Sequence, residues 1–195
     1  MDSTQGVIAC IGWGSLVWDP RDLPLRGQWQ NDGPILPVEF VRESGAKAGM
    51  RGDKITLVIH PAAPRVQTYW ALLDVPDLET ARRQLASREG IPKRWEKDIG
   101  YADLTGGATM GSESETIASW GAKLALSGVV WTNLPPKFDG IIGTIPTPED
   151  VVAFLQNLDE AKRAEAEEYV RQVPSQIDTP YRRLIEERLG WHRSS

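Results

Sequence analysis

The sequence predicts an α+β protein, because strand patterns dominate its N-terminal part and helix patterns its C-terminal part. Residues 7–11 form a continuous apolar run that Gly12 stops, which is typical of a short strand buried on both faces. Two Thr-Pro pairs, at 147–148 and 179–180, are each followed by a helix pattern. The remaining segments, taken in order, fit the same fold class.

Three further strands are expected in the first part of the chain, at 35–42, 55–60 and 66–73. These segments are rich in β-branched and apolar residues. Residues 19–34 are instead rich in Pro, Gly, Asp and Asn, which predicts a long loop with at most one helical turn.

The pattern changes to a helical period after Asp77. Asp77 is a candidate N-cap, and apolar residues recur at helical spacing until Gly90 ends the run. Residues 100–116 are rich in Gly, Ser and Thr and predict a loop. A short helix at 117–126 and a strand at 129–132 are expected after it.

The C-terminal part is expected to be helical. A first helix should begin at Thr147 and run to about residue 158. Residues 159–172 carry charges at i,i+4 spacing and predict a mostly solvated helix. A last helix should begin at Thr179 and end at Gly190.

Composition excludes several classes of partner. The chain has 195 residues, with 22 Lys and Arg against 27 Asp and Glu, and a formal net charge of −5. Such a chain has no general attraction for phosphate backbones or anionic lipid, so we expect no nucleic-acid or membrane partner. A single cysteine, Cys10, cannot form an intramolecular disulfide, which favours a reducing compartment. The N-terminus has no signal-peptide pattern, and we therefore expect a cytoplasmic protein.

The segment Gly12-Trp13-Gly14-Ser15-Leu16 directly follows the first strand and is the first candidate site. Glycines allow successive N–H groups to converge on one anion, so the segment could hold a carboxylate or an oxyanion. The alternative is a tight turn that simply needs glycine.

Glu89 is the second candidate. It continues the stripe formed by Leu78, Ala81 and Leu85 that should face the core, and it lies in the last turn, where the helix dipole disfavours negative charge. A half-buried carboxylate in such a place suits a general base or acid. The alternative is a frayed helix end with Glu89 in water, near Arg88 or Lys93.

Other arrangements carry less chemistry. Neither His60 nor His192 lies in an obvious ligand cluster, and a Ser15-His60 triad lacks the strand, elbow and helix pattern that such a triad needs. Cys10 lies inside an apolar strand, where a thiol is usually inert. Three tryptophans either wall a pocket or cover the end of the sheet: Trp13, Trp18 and Trp29.

The first strand and the segment 12–18 resemble the N-terminal signature of the γ-glutamylcyclotransferase-like superfamily, which is typically Tyr-Gly-Ser followed by Leu or Asn-Leu. A second match, over residues 66–92, resembles the segment whose Glu-Gly glutamate is catalytic in that family. The resemblance implies a small mixed β-barrel with surrounding helices. The resemblance covers residues 7–92. We expect a domain of this type at 1–145 and a helical extension at 146–195, which could supply substrate selectivity, a lid or a surface for homo-oligomerisation.

The resemblance also implies the reaction. The α-amino group of a γ-glutamyl compound attacks its own γ-carbonyl, releasing 5-oxoproline and an amine or amino acid. Glu89 would be the general base and acid, and no metal or cofactor would be needed, because the nucleophile belongs to the substrate. Trp13 replaces the usual tyrosine and makes the pocket wall more apolar. The expected substrate-binding residues are Gly12, Trp13, Gly14, Ser15 and Leu16, of which 14–16 would supply backbone donors.

Two other functions remain open. The chain could be a non-catalytic protein of the same fold that grips the carboxylate of a small molecule or peptide through the glycine-serine segment. It could also be a serine hydrolase that uses Ser15.

Overall fold

The computed structural model describes residues 6–45, 52–91, 93 and 95–193. Pro92, which the sequence places at the end of the second family-like segment, lies outside the described residues. The strands along the described chain are β1 (Ile8–Gly12), β2 (Leu25–Gln30), β3 (Ile35–Ser44), β4 (Lys54–Ile59), β5 (Arg65–Gln67), β6 (Tyr69–Leu73), β7 (Ile99–Asp103), β8 (Thr109–Met110), β9 (Gly128–Thr132), β10 (Lys137–Phe138) and β11 (Ile141–Ile142). The helices are α1 (Leu78–Arg88), α2 (Trp95–Asp98), α3 (Ser114–Lys123), α4 (Pro148–Gln156), α5 (Glu160–Gln172) and α6 (Pro180–Leu189).

The chain forms two compact units, and each is assembled from separate stretches of sequence. The first unit comprises Met1–Gly12, Asp19–Ile35 and Gln67–Leu134. The second comprises Trp13–Trp18, Leu36–Val66 and Pro135–Ser195. The expected division into 1–145 and 146–195 stays a prediction.

A six-stranded mixed sheet, in the order β2-β6-β1-β9-β7-β8, forms the core of the first unit. β1 pairs antiparallel with β6 and parallel with β9, and all five of its residues are buried. A strand with a neighbour on each side and both faces covered needs a continuous apolar run. The prediction of a doubly buried first strand is therefore confirmed.

The second unit contains a mixed sheet of five strands. Its order is β11-β10-β3-β4, and β5 also pairs with β3. β3 is antiparallel to β4 and parallel to β10. The helices α4 and α5 both pack against β4, and α6 packs against α4.

The α+β class is confirmed. The described strands form no closed barrel, so the prediction of a small β-barrel is wrong. Closing a barrel requires every strand to have two neighbours. Each sheet instead ends in edge strands: β2 and β8 in the first, β11 and β4 in the second. β8 and β11 are only two residues long, which leaves little backbone for a further pairing.

The predicted helix starts and stops in α1, α4 and α6 are confirmed. Asp77 caps α1 by accepting a hydrogen bond from Thr80 N at 2.7 Å. Thr147 and Asp150 form a capping box at the start of α4. Thr179 caps α6, and Gly190 ends it with φ of 71°.

Two predicted loops are wrong. Residues 19–34 contain β2, an edge strand whose mostly exposed and polar residues carry no alternating pattern. Residues 100–116 contain most of β7, all of β8 and the start of α3. Gly100 indicates a loop in the sequence, yet it lies inside β7 against the indole of Trp131, where a Cβ would come within 2.3 Å of the ring.

The expected strand at 66–73 is two strands. Thr68 separates β5, which pairs with β3, from β6, which belongs to the other sheet. The Thr68 side chain is fully buried and donates a hydrogen bond to Pro34 O at 2.6 Å.

Candidate functional site

Glu89 is the C-cap residue of α1 and keeps helical backbone geometry. Its φ and ψ are −77° and −5°, and its N–H donates to Leu85 O at 3.0 Å. Gly90 then turns the chain with φ of 67°. The helix therefore does not fray before Gly90, and the Glu89 side chain is only 17% exposed. The alternative in which this carboxylate points freely into water does not fit this geometry.

The Glu89 carboxylate forms an ion pair with its neighbour in the chain. Arg88 Nη1 lies 2.8 Å from Glu89 Oε1, and the Arg88 side chain is 4% exposed. The same guanidinium donates to the carbonyl oxygen of Asp19 from Nε at 3.1 Å and from Nη2 at 2.6 Å. A largely buried carboxylate thus has a buried cation beside it, which offsets the cost of removing both charges from water.

The charges of Glu89 and Arg88 both act on the thiol of Cys10. The thiol is fully buried in β1. Burial raises the pKa of Cys10 far above its ordinary value, the negative charge of Glu89 raises it further, and Arg88 opposes the shift. Cys10 therefore stays a protonated thiol, as expected of an inert cysteine.

The glycine-serine segment begins where β1 ends. Gly12 is the last residue of β1 and lies opposite Tyr69, whereas residues 13–18 belong to the second unit. Gly14 O accepts a hydrogen bond from Val17 N at 2.9 Å, so the segment makes a turn. Gly12 and Gly14 are not among the described residues with positive φ. The geometry supports the reading as a turn more directly than the reading as an anion nest, which needs a left-handed residue.

Packing within the second unit fixes the side chains of this segment. Trp13 is 5% exposed and donates from its indole nitrogen to Leu57 O at 3.1 Å. Trp18 makes an edge-to-face contact with Tyr169, with ring centroids 5.4 Å apart. Leu16 is buried and Ser15 is partly exposed. The predicted roles of these residues in substrate binding stay predictions.

The Ser15-His60 pairing of the serine-hydrolase alternative is not formed. Both residues belong to the second unit. In the part of the chain that the structure describes, His60 forms hydrogen bonds only through its backbone, with Pro37 O and Ala63 N, both at 2.8 Å. The His60 imidazole therefore forms no hydrogen bond with the Ser15 hydroxyl in the described part of the chain.

A separate cleft of about 490 Å³ lies in the second unit. Its acidic side chains include Asp150 and Asp159. Asp150 accepts a hydrogen bond from Thr147 N, just before α4, and Asp159 accepts one from Lys162 N, in the first turn of α5. These helix-capping bonds lower the pKa of both carboxyls. Both acids therefore have a structural role, and the cleft does not include any residue predicted from the sequence as a site.

Within residues 6–45, 52–91, 93 and 95–193, no three His, Cys, Asp or Glu side chains come together in a way that would hold a metal ion. No helix in these same ranges is long and apolar enough to cross a membrane.

Sequence reasoning missed Arg88 and Tyr169 as partners of the two candidate segments. The sequence indicates Arg88 only as a possible neighbour of Glu89, and nothing in it shows that the guanidinium reaches Asp19. Tyr169 interrupts a highly charged helix, and it stands one residue before the buried Val170. An aromatic residue at that position is the one signal that could have indicated a packed face on α5.

In comparisons with known proteins, no family model matches the chain, and no curated protein matches it.

Proposed function

We propose that the protein is a γ-glutamylcyclotransferase-like enzyme that converts a γ-glutamyl amine or γ-glutamyl amino acid into 5-oxoproline and the free amine. The proposal starts from the sequence resemblance. The structural observation that supports it is the state of Glu89, a carboxylate that is 17% exposed, lies at a helix end and is paired with a buried arginine. Enclosed acidic groups of this kind are candidates for proton transfer.

In the proposed reaction, Glu89 accepts a proton from the α-ammonium group of the substrate. The resulting amine nitrogen attacks the γ-carbonyl carbon, forming the ring C–N bond and a tetrahedral oxyanion. The bond between that carbon and the leaving nitrogen then breaks as Glu89 returns the proton to that nitrogen. Glu89 takes the second proton from the ring nitrogen, which becomes the lactam N–H, and passes it to the released amine, which departs as an ammonium ion. Holding the substrate folded is itself a large part of such catalysis, since both reacting groups belong to one molecule.

One oxygen of Glu89 suits this exchange. Oε1 is held by Arg88, and Oε2 accepts no hydrogen bond from any residue in the described part of the chain. Oε2 therefore keeps its lone pairs for a substrate proton. Backbone donors of Gly14, Ser15 and Leu16 are assigned to the oxyanion on the resemblance alone.

The test is turnover of a panel of γ-glutamyl amines and γ-glutamyl amino acids, with 5-oxoproline measured by mass spectrometry. Glu89→Gln keeps the size of the side chain and removes the proton acceptor, so it should lower the rate by about 10²- to 10⁴-fold. Glu79→Gln, at an exposed site on α1, is the matched control and should leave the rate unchanged.

Three other results would favour a different function or a different base. Wild-type protein that binds a panel compound without forming product would support the non-catalytic binding function instead. Full turnover by the Glu89→Gln variant would reject Glu89 as the base. Loss of turnover in Ser15→Ala, together with labelling by a serine-directed reagent, would support the hydrolase.

A further inference from the structure

Arg88 occupies an unusual position for a residue in the last turn of a helix. A basic side chain there usually reaches into solvent near the helix carbonyls. Arg88 is instead 4% exposed, and its guanidinium is shared between the Glu89 carboxylate and the backbone of Asp19, 69 residues earlier in the chain.

The contact between the helix end and the segment at Asp19 runs in both directions. Arg88 donates through Nε and Nη2 to Asp19 O, and Arg21 Nη1 donates back to Arg88 O at 3.2 Å. Arg21 adopts φ of 51°, an uncommon conformation for a residue other than glycine. Surrounding structure must hold a residue in such a conformation.

The planar guanidinium makes these bonds directional. Nη1 faces Glu89 Oε1 while the edge formed by Nε and Nη2 is fixed on one carbonyl oxygen. Because the three nitrogens lie in one rigid plane, anchoring one edge sets the direction of the other. Glu89 Oε1 is thereby held in one orientation.

We propose that Arg88 is a positioning residue that holds Glu89 Oε1, so that Oε2 is presented to the substrate proton. This inference rests on the proposed function. It assigns to Arg88 an effect on the chemical step and no contact with substrate, so its removal should lower kcat and leave KM nearly unchanged.

Two substitutions separate charge from geometry. Arg88→Lys keeps the positive charge but has no planar fork to span both acceptors, and it should lower kcat about tenfold. Arg88→Met also removes the charge and should lower kcat about 100-fold. Arg83→Lys and Arg83→Met are the matched controls, because Arg83 lies on the same helix with a 65% exposed side chain, and they should leave kcat unchanged.

A third variant tests position by chemical rescue. Arg88→Ala leaves space for a guanidinium ion, and added methylguanidinium should recover part of the lost kcat in a saturable way. The same concentrations should not change the rate of the wild type or of Arg83→Ala. Circular dichroism and thermal melting check that every variant is folded. If Arg88→Met and Arg88→Ala do not fold, the kcat of Arg88→Lys tests the proposal.

The results distinguish the two proposals. Wild-type turnover that is lost in Glu89→Gln but retained at full kcat in Arg88→Lys and Arg88→Met would overturn the role of Arg88 alone. A lower kcat that methylguanidinium does not restore, together with a raised KM, would indicate only a structural role and would also overturn it. Absence of 5-oxoproline from wild-type protein across the panel would overturn the proposed function, and this inference with it.

Discussion

The phenol oxygen of Tyr169 lies directly beside the α-carbon of Gly14. A methyl group added at Gly14 would stand 2.8 Å from that oxygen, closer than Cβ atoms normally approach. Tyr169 is held in place by an edge-to-face contact with Phe40, with ring centroids 6.4 Å apart, and its hydroxyl oxygen accepts a hydrogen bond from Leu57 N at 3.4 Å. Glycine at position 14 is therefore explained by close packing against a helix, rather than by a backbone angle that other residues cannot adopt.

Gly14→Ala should destabilise the protein by about 1 kcal/mol or more, because the added methyl must displace the Tyr169 hydroxyl. In a Tyr169→Phe background the oxygen is absent, and the same substitution should cost clearly less. Urea unfolding of the four proteins in this double-mutant cycle measures the difference.

Tyr169→Phe alone is the control in that cycle, and it should cost about 1 kcal/mol through the lost bond with Leu57 N. Equal costs for Gly14→Ala in both backgrounds would show that the hydroxyl is not what requires glycine at this position.

Local signals in the sequence were sufficient for much of the fold. The N-cap residues Asp77, Thr147 and Thr179 each accept a hydrogen bond from the residue three positions later, so their effect can be predicted without knowing the tertiary structure. The first strand is also predicted by a local signal, since a short continuous apolar run that ends at a glycine is typical of a buried strand.

Features that depend on distant residues could not be predicted. Gly100 is a strand residue because the Trp131 indole covers it, and nothing near Gly100 in the sequence indicates that ring. Arg88 is buried because Asp19 supplies the acceptor for its guanidinium. The position and partial burial of Glu89 followed from helical spacing, but the buried cation beside it did not.

Cys10 should resist thiol reagents in the folded protein. Burial is the main cause of its raised pKa, so the reactive thiolate is nearly absent at neutral pH, and the reagent also has no access. Labelling by a chromogenic disulfide should proceed only as fast as the protein unfolds, and at full speed in denaturant. Because Cys10 is the single cysteine of the chain, the signal has one source.

Glu89→Gln provides a check on that explanation. It removes the second cause of the raised pKa and leaves burial intact, so Cys10 should still be protected. Rapid labelling of the native Glu89→Gln protein would show that the carboxylate, not burial, dominates.

Arg182 and Arg183 are adjacent on α6 but should differ sharply in their contribution to stability. Arg182 is 4% exposed and donates to Pro174 O at 2.8 Å, to Ile177 O at 3.1 Å and to Glu186 Oε1 at 2.9 Å. Arg182→Met should cost about 3 kcal/mol, since it removes a charged donor from two buried carbonyls and a carboxylate. Among the described residues, Pro174 O then keeps only its bond from Ile177 N. The control, Arg183→Met, removes only an exposed pair with Asp178 and should change the free energy of unfolding little.

Denaturant midpoints at constant m-value give both costs. Similar costs for the two variants would mean that the bonds of Arg182 to the segment before α6 do not stabilise the fold. The comparison is internal, because both residues lie in one helix and carry the same charge.

Glu39 should make the stability of the protein depend on pH. Its side chain is buried in β3, and its carboxylate accepts hydrogen bonds from the Thr179 hydroxyl, from Phe40 N at 2.9 Å and from Tyr181 N at 3.4 Å. Burial raises the pKa of Glu39 above its ordinary value of 4.5, although the three hydrogen bonds oppose the shift. The pKa of Tyr181 is raised as well, mainly by burial and next by the negative charge of Glu39.

A raised carboxyl pKa means that the folded protein binds the proton more tightly than the unfolded chain. This contribution is fully present below pH 4.5, where Glu39 is protonated in both states, and is lost as the pH rises through the folded-state pKa. Each unit of the shift corresponds to about 1.4 kcal/mol. Glu39→Gln stays neutral and keeps an acceptor for Thr179 and Phe40, so its stability should lack this dependence.

The measurement is the free energy of unfolding of the wild type and of Glu39→Gln, obtained by urea unfolding from pH 4 to pH 8 in steps of about half a pH unit. The wild-type value should fall relative to the variant as pH rises, and the difference should level off above the folded-state pKa. Glu165→Gln, at an exposed position on α5, is the control and should give a difference that does not vary in this way. A constant difference between wild type and Glu39→Gln would contradict the expectation, because it would show that Glu39 binds its proton equally well in both states.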